Sequence, residues 1–157
     1  MTIIHGTKPL SSTGDFDIII LSYSSLKSVE TLTFKVVILD ESHFIKDSEA
    51  KRTRSALQLC HRAQRVVLLT GTPAMSRPIE LHAQLMSLQP SIIPSRYLFA
   101  ARYCNAYRSH FGVDMTGHSH TDELHFLLSH FVIRRTKKEL GDELPCKTRQ
   151  LLYIHVT

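Results

Sequence analysis

The sequence predicts an α/β domain with a parallel sheet, and two observations support that prediction. Three runs of consecutive aliphatic residues each end in a polar residue: Asp17–Ser22, Lys35–Asp40 and Arg65–Thr70. Uninterrupted Val, Ile and Leu are typical of strands buried on both faces of a parallel sheet. Between the second and third runs, Asp47–Ala63 contains neither Gly nor Pro and is predicted to be a helix that begins near Asp47 and Ser48. Strand, helix and strand in this spacing form one βαβ crossover.

The rest of the chain is mostly helical in its pattern. A helix is predicted to open at Ser76 and Pro78, because proline is tolerated in a first turn. Further along, the pattern predicts a second helix, a loop rich in Gly, His, Ser and Thr, a third helix and a last strand. The second helix is predicted over Arg96–Tyr107 and the loop over His110–His120. The third helix is predicted to begin at Thr121, and the last strand to cover Arg149–Val156. The apolar face of the third helix is predicted to pack in the core: Leu124, Leu127, Leu128 and Phe131.

Composition places the chain among globular proteins. It has 157 residues, of which 43% are hydrophobic and 21% charged, so disordered and collagen-like classes are excluded. No apolar run approaches the length of a membrane span and the first residues lack the pattern of a signal peptide, so we expect a soluble protein that does not associate with membranes. The net charge of +5 suits an anionic partner such as nucleic acid. Three widely spaced cysteines (Cys60, Cys104 and Cys146) favour a reducing compartment.

Two of the aliphatic runs continue into residues that can do chemistry. The second is followed by Asp40-Glu41-Ser42-His43 and the third by Thr70-Gly71-Thr72-Pro73. Ligands bind at the carboxyl ends of parallel strands, so both clusters are predicted to lie at one edge. An aspartate in that position can hold Mg²⁺, and a neighbouring glutamate can accept a proton from an attacking water. A hydroxyl and a glycine on the next strand could sense a phosphate.

Each cluster has a plain structural interpretation when it is taken alone. Asp-Glu after an apolar run is often a solvated loop, and Thr-Gly-Thr-Pro is most often a turn. The combination on consecutive strands of one βαβ unit is much more specific.

These motifs resemble the first ATPase lobe of the SWI/SNF-like DNA translocases of helicase superfamily two. The similarity is carried by VVILDESHFIK and RVVLLTGTPAMSRPIEL, and it is greatest to the annealing-helicase branch that remodels stalled replication forks. IILSYSSL resembles the family's DNA-contacting strand and loop, Tyr103-Cys104 falls in its helical insertion, and VIRRTKKELGDELPCK resembles the block that closes the lobe. The resemblance implies a RecA-like P-loop NTPase lobe with a helical insertion, ATP and Mg²⁺ as cofactors, and a role in DNA repair.

The resemblance also implies roles for individual residues. Asp40 would coordinate the Mg²⁺ of ATP, and Glu41 would position or deprotonate the hydrolytic water, with His43 in the same catalytic group. Coupling of hydrolysis to lobe movement would involve Ser42, Thr70, Gly71 and Thr72. The DNA backbone would be contacted, without sequence readout, by Ser22, Tyr23 and Ser24 and by a cationic group made of Arg134, Arg135, Lys137 and Lys138. The DNA is expected to be double-stranded or forked, the location nuclear, and a second ATPase lobe of the same parent chain a partner.

A phosphate-binding loop is missing from this pattern. Such a loop ends in Gly-Lys-Ser/Thr, but none of the six glycines is followed by lysine. We therefore expect an incomplete lobe, a fragment whose isolated chain hydrolyses ATP negligibly. The predicted division is residues 1–90 for the C-terminal portion of the ATP-binding lobe, 91–133 for the insertion, and 134–157 for the closing basic block and last strand.

Other functions remain open at this point. A non-catalytic basic α/β module that binds DNA or a protein partner is the main alternative. A small metal-dependent hydrolase that uses Asp40, Glu41 and His43 is a weaker one. Ten histidines, among them His118 and His120, also suggest zinc, but no cysteine lies near them in the sequence, so a polar loop is the preferred interpretation.

Overall fold

The computed structural model describes residues 2–4, 18–72, 77–110, 112–135, 139 and 149–151. The strands are β1 (Thr2–Ile4), β2 (Ile19–Leu21), β3 (Val36–Leu39), β4 (Arg65–Leu68), β5 (Tyr107–Ser109) and β6 (Gly112–Asp114). The helices are α1 (Lys51–Arg62), α2 (Ile79–Leu88), α3 (Arg96–Tyr103) and α4 (Thr121–Ser129). Two short 3₁₀ helices cover Tyr23–Val29 and Ser42–Ile45.

The predicted βαβ crossover is confirmed. Strands β3 and β4 are parallel, with Leu39 opposite Leu68, and α1 connects them. Their carboxyl ends therefore lie at the same edge. Strand β2 pairs in parallel with β1, and β5 pairs with β6 as an antiparallel hairpin. Among the described residues these are three separate two-stranded pairs.

The prediction that the aliphatic runs are buried on both faces is wrong. Along β3, Leu39 is buried while Val36 and Ile38 are 48% and 61% exposed. Successive side chains of a strand point to opposite faces, and in the described part of the chain only one face is packed on the core. The exposed aliphatic side chains of the three runs are Ile18, Ile20, Val36, Ile38, Val67 and Leu69.

One hydrophobic core lies on the covered face of the β3–β4 pair. Side chains of the first 3₁₀ helix and of α1 pack there against β3, and Ile45 of the second 3₁₀ helix joins them with no exposed surface. Its buried members are Leu26, Val29, Leu32, Leu39, Ile45, Ala56, Leu59 and Cys60. Burial of Ile45, two residues after His43, anchors the segment that follows β3 to the core.

A second hydrophobic core joins α2, α3 and α4. Leu81 and Leu85 of α2 contribute to it, and Phe99 of α3 is fully buried. The predicted apolar face of α4 is confirmed, because Leu124 is buried and its three partners pack against the same cluster. Cys104 is fully buried in the same cluster. The division at residues 90 and 133 remains a prediction.

Helix α1 begins later than predicted, at Lys51. Asp47 does not cap it, because its carboxylate accepts a hydrogen bond from the Glu49 backbone N–H at 3.0 Å and forms a local turn instead. Helix α2 begins at Ile79 with Pro78 at the N-cap position, and Ser76 lies outside the described residues.

The chain after α3 also differs from the prediction. The helix ends at Tyr103 rather than Tyr107, since Asn105 adopts a left-handed conformation with φ of 47° that ends a helix. Within the predicted loop, Gly112–Asp114 forms β6, and φ of +120° at Gly112 follows the turn of the hairpin. The residues Arg149–Leu151 are not in a strand, and the rest of that predicted strand lies outside the described residues.

In the described part of the chain, no helix is long and apolar enough to cross a bilayer.

Candidate functional site

The acidic loop, which we define as Asp40–His43, and the hydroxyl loop, Thr70–Thr72, lie next to each other at one edge of the β3–β4 pair. The Leu69 N–H donates to the Leu39 carbonyl at 2.9 Å, which extends the strand pairing. The Ser42 N–H then donates to the Leu69 carbonyl at 2.9 Å. The chain therefore turns across the end of β4, and this brings both predicted motifs together.

His43 joins the two loops through one ring nitrogen. Its Nδ1 lies 3.2 Å from Thr70 Oγ1 and 3.2 Å from Glu41 Oε2. Thr70 Oγ1 also accepts a hydrogen bond from the Thr72 N–H at 3.2 Å, so this hydroxyl organises its own loop. The ring stacks on Phe44 with a centroid distance of 4.7 Å, which limits its rotation. His43 Nδ1 therefore contacts both the Glu41 carboxylate and the Thr70 hydroxyl.

The two carboxylates differ in their surroundings. Asp40 is exposed, and its Oδ1 accepts a hydrogen bond from the Glu41 N–H at 2.9 Å. Glu41 adopts left-handed backbone angles, φ 49° and ψ 50°, which turn its side chain toward His43. An exposed carboxylate just past a strand end suits Mg²⁺, which binds to one or two carboxylates and fills its shell with water and phosphate oxygens. Asp40 therefore fits the predicted metal ligand.

Ser42 is the buried anchor of the acidic loop. Its side chain has no exposed surface, and its hydroxyl donates to Gln84 Oε1 on α2 at 3.0 Å. Gln84 was not identified from the sequence, where it is one polar residue in a helix. The contact spans 42 positions, and no local pattern signals it.

Tyr23 links the predicted DNA-contacting segment to the acidic loop. Its hydroxyl donates to the Asp40 carbonyl at 2.8 Å. Burial, followed by the negative charge of Asp40, raises the pKa of Tyr23 to about 12. The phenol therefore stays protonated and remains a hydrogen-bond donor at neutral pH.

The other predicted DNA-contacting residues lie in two places. Ser22 and Ser24 are exposed, and their hydroxyls are 2.8 Å apart beside Tyr23. Arg134 and Arg135 are exposed beyond the end of α4. No hydrogen bond or ion pair between described residues joins those arginines to the acidic loop. Lys137 and Lys138 lie outside the described residues, as does Pro73.

Gly71 and Thr72 are exposed at the tip of the hydroxyl loop. A side-chain carbon added at Gly71 would meet nothing within 4 Å, so the loop leaves open space at that position. A bound group could approach the backbone there without a steric clash.

The described residues do not contain a group of three or more His, Cys, Asp or Glu side chains that could hold a metal ion. The histidine-rich loop is included in that part of the chain, and His120 Nδ1 lies 2.8 Å from the Arg102 carbonyl instead.

Comparison with known proteins identifies the family of this chain. The model of the SNF2-related domain matches residues 5–157. The SWI/SNF-related matrix-associated actin-dependent regulator of chromatin subfamily A-like protein 1 of Xenopus tropicalis is 44% identical over 78% of this chain and 13% of its own length. The DNA annealing helicase and endonuclease ZRANB3 of Homo sapiens is 44% identical over 80% of this chain and 12% of its own length.

A solved structure supports the same assignment. The Sulfolobus solfataricus SWI2/SNF2 ATPase core in complex with dsDNA aligns with a TM-score of 0.67 and 26% identity, over 83% of this chain and 27% of the solved one. The chain thus spans about an eighth of the length of these curated relatives. It belongs to the SNF2-related domain family, as its sequence motifs predict.

Proposed function

We propose that this chain is part of an ATP-dependent DNA translocase of the annealing-helicase type, which acts on double-stranded or forked DNA in replication-fork remodelling and DNA repair. Two kinds of observation support this proposal. Relatives that match four-fifths of the chain are named as a chromatin regulator and as a DNA annealing helicase. The solved neighbour is an ATPase core bound to dsDNA. A nuclear location follows from the same relationships.

The observation that carries the proposal is the contact between the two loops. Asp40, Glu41 and His43 lie at the edge where Thr70 lies, and a 3.2 Å hydrogen bond joins His43 to Thr70. A site that couples nucleotide hydrolysis to lobe movement needs acidic groups for the hydrolysis. It also needs a contact that passes the change at the nucleotide on to the neighbouring loop. This arrangement supplies both within a few residues.

The chain's own groups have distinct parts in the proposed reaction. Asp40 would hold Mg²⁺, and the bound ion would supply positive charge to stabilise the phosphate during hydrolysis. Glu41 orients the attacking water and accepts its proton. His43 fixes the Glu41 carboxylate and, through Thr70, senses changes in the hydroxyl loop. Ser42 holds the loop at its buried end, and Gly71 and Thr72 complete the coupling group.

The DNA contacts are proposed for two exposed groups. Hydroxyls of Ser22 and Ser24, together with backbone amides of the segment that includes Tyr23, would donate to phosphate oxygens and set the register without reading sequence. Arg134, Arg135, Lys137 and Lys138 would add cationic contacts that weaken as salt rises. Since Tyr23 also bonds to the Asp40 carbonyl, DNA binding and hydrolysis share one residue.

The remaining parts of the motor are assigned to the parent protein. No glycine of this chain is followed by lysine, so the phosphate-binding loop would come from another segment of the parent protein. An arginine that stabilises the transition state would come from its second ATPase lobe. The isolated 157-residue chain is therefore proposed to hydrolyse ATP negligibly.

The test uses the complete gene product that carries this domain. DNA-stimulated release of phosphate from ATP is measured for the wild type, for Glu41→Gln and for Glu49→Gln, a control that removes an exposed carboxylate in the turn before α1. We expect Glu41→Gln to lower kcat by about 10²–10⁴-fold, the usual effect of losing a general base, while the control retains the wild-type rate. Equal rates in all three proteins would refute the catalytic role.

A non-catalytic module that binds DNA or a protein partner is the second candidate. The absence of Gly-Lys from the sequence and the charge of +5 favour it. In that case the complete gene product would bind duplex DNA but release no phosphate above the Glu41→Gln background.

A further inference from the structure

We propose that Gln84 is a positioning residue that holds the acidic loop in register with helix α2. This inference rests on the proposed function of that loop. Gln84 is buried, and its side-chain amide hydrogen-bonds to the Ser42 hydroxyl. Its effect would pass through Ser42, the residue between Glu41 and His43.

Ser42 is fixed from two directions. Its N–H donates to the Leu69 carbonyl at 2.9 Å, and its hydroxyl donates to Gln84 Oε1 at 3.0 Å. Both side chains are buried, with 0% exposure for Ser42 and 5% for Gln84. A buried hydroxyl that loses its acceptor must rotate or move to find another, because water does not reach it.

The orientation of the Gln84 amide is set by its own helix. Its Nε2 donates to the Glu80 carbonyl at 3.2 Å, which a carbonyl oxygen in that place could not do. Oε1 must therefore face Ser42. The Ser87 hydroxyl donates to the Gln84 backbone carbonyl at 2.6 Å, a contact within α2 that does not involve the side-chain amide.

Helix α2 connects this contact to the second hydrophobic core. Leu81 and Leu85, which flank Gln84 in the sequence, are buried members of that cluster. A displacement of α2 would therefore move Oε1 relative to Ser42 and shift Glu41 and His43 with it. Through its hydrogen bond with Ser42, Gln84 therefore couples the position of α2 to the position of the acidic loop.

The test compares Gln84→Met with Ser87→Ala. Methionine keeps the length and apolar volume of the side chain but removes the acceptor. Ser87→Ala removes a buried hydrogen bond from the same helix without touching Ser42, so it reports on helix stability alone. In the 157-residue chain, the imidazole resonances of His43, assigned with His43→Gln, are expected to shift in Gln84→Met and to stay in place in Ser87→Ala.

Kinetics in the complete gene product give the second measurement. Gln84→Met is expected to lower kcat for ATP about 10–100-fold with KM for ATP unchanged, the effect of a sub-ångström to 1 Å misplacement. The double variant Ser42→Ala with Gln84→Met should lose no more than Gln84→Met alone, because the two act as a unit.

The inference is overturned if the His43 resonances do not move in Gln84→Met, or if Ser87→Ala reduces kcat to the same degree. A wild-type gene product without ATP turnover would instead refute the proposed function. The resonance shift would still decide whether Gln84 positions the loop.

Discussion

Replacing Tyr23 by phenylalanine tests the contact between the predicted DNA-contacting segment and the acidic loop. The change removes the hydroxyl that donates to the Asp40 carbonyl at 2.8 Å and leaves the ring in the core. A hydrogen bond of this kind contributes about 0.5–1.5 kcal/mol to the free energy of unfolding. For a domain of this size, a loss of about 1 kcal/mol lowers Tm by about 2–4 °C.

The pH dependence gives a sharper form of the same prediction. Because the pKa of Tyr23 is raised from 10.0 to about 12 in the folded chain, the stabilising effect is complete below pH 10.0 and is lost as pH rises toward 12. Two pKa units correspond to about 2.7 kcal/mol, and solvent around a partly exposed ring reduces that to about 1 kcal/mol. The stability difference between the wild type and Tyr23→Phe should therefore shrink over that range.

Urea unfolding followed by circular dichroism measures both effects at pH 8 and at steps above pH 10. Tyr97→Phe is the matched control, since Tyr97 is 62% exposed on α3 and removal of its hydroxyl should leave stability unchanged. If Tyr23→Phe matches the wild type at pH 8, the assigned contact with Asp40 is wrong; if their difference is the same at every pH, the burial that raises the pKa of Tyr23 is wrong.

Three further predictions concern other parts of the chain. Phe99→Ala should lower the free energy of unfolding by about 3–5 kcal/mol in urea, because the ring is fully buried; a loss below about 1 kcal/mol would contradict its place in the core. Hydrogen bonds from Arg102 and then Tyr103 lower the pKa of Glu123 from 4.5 to about 2. Its stabilising effect is present above pH 4.5 and lost as pH falls toward 2, so Glu123→Gln should flatten acid unfolding over that window, and an unchanged acid profile would count against it. Burial raises the pKa of Cys60 to about 12, so native wild type and Cys60→Ser should bind equal amounts of a thiol reagent at pH 8, with a difference of one thiol only in denaturant.

The part of the fold predictable from the sequence is the part encoded by short-range pattern. The aliphatic runs identified β3 and β4, and the helical stretch between them fixed a parallel pairing. That pairing alone placed Asp40 and Thr70 at one edge, because parallel strands end on the same side. The meeting of the two loops was therefore predictable before any coordinates.

Other features depend on contacts between distant residues. The bond between Ser42 and Gln84 spans 42 positions and arises from how α2 packs against α1 and the acidic loop. The early end of α3 depends on the left-handed backbone at Asn105, a conformation that asparagine tolerates but does not require. Burial of the strands was predicted wrongly since an aliphatic run does not reveal how many of its faces are covered.

Glu41 has a left-handed backbone, which costs a residue with a side chain about 1–2 kcal/mol and costs glycine almost nothing. A glycine at position 41 would therefore stabilise the fold but would remove the carboxylate. A laboratory selection for heat tolerance alone would favour glycine or asparagine here and would discard the very group that the proposed reaction needs. Engineering of this domain for robustness should leave position 41 outside its libraries.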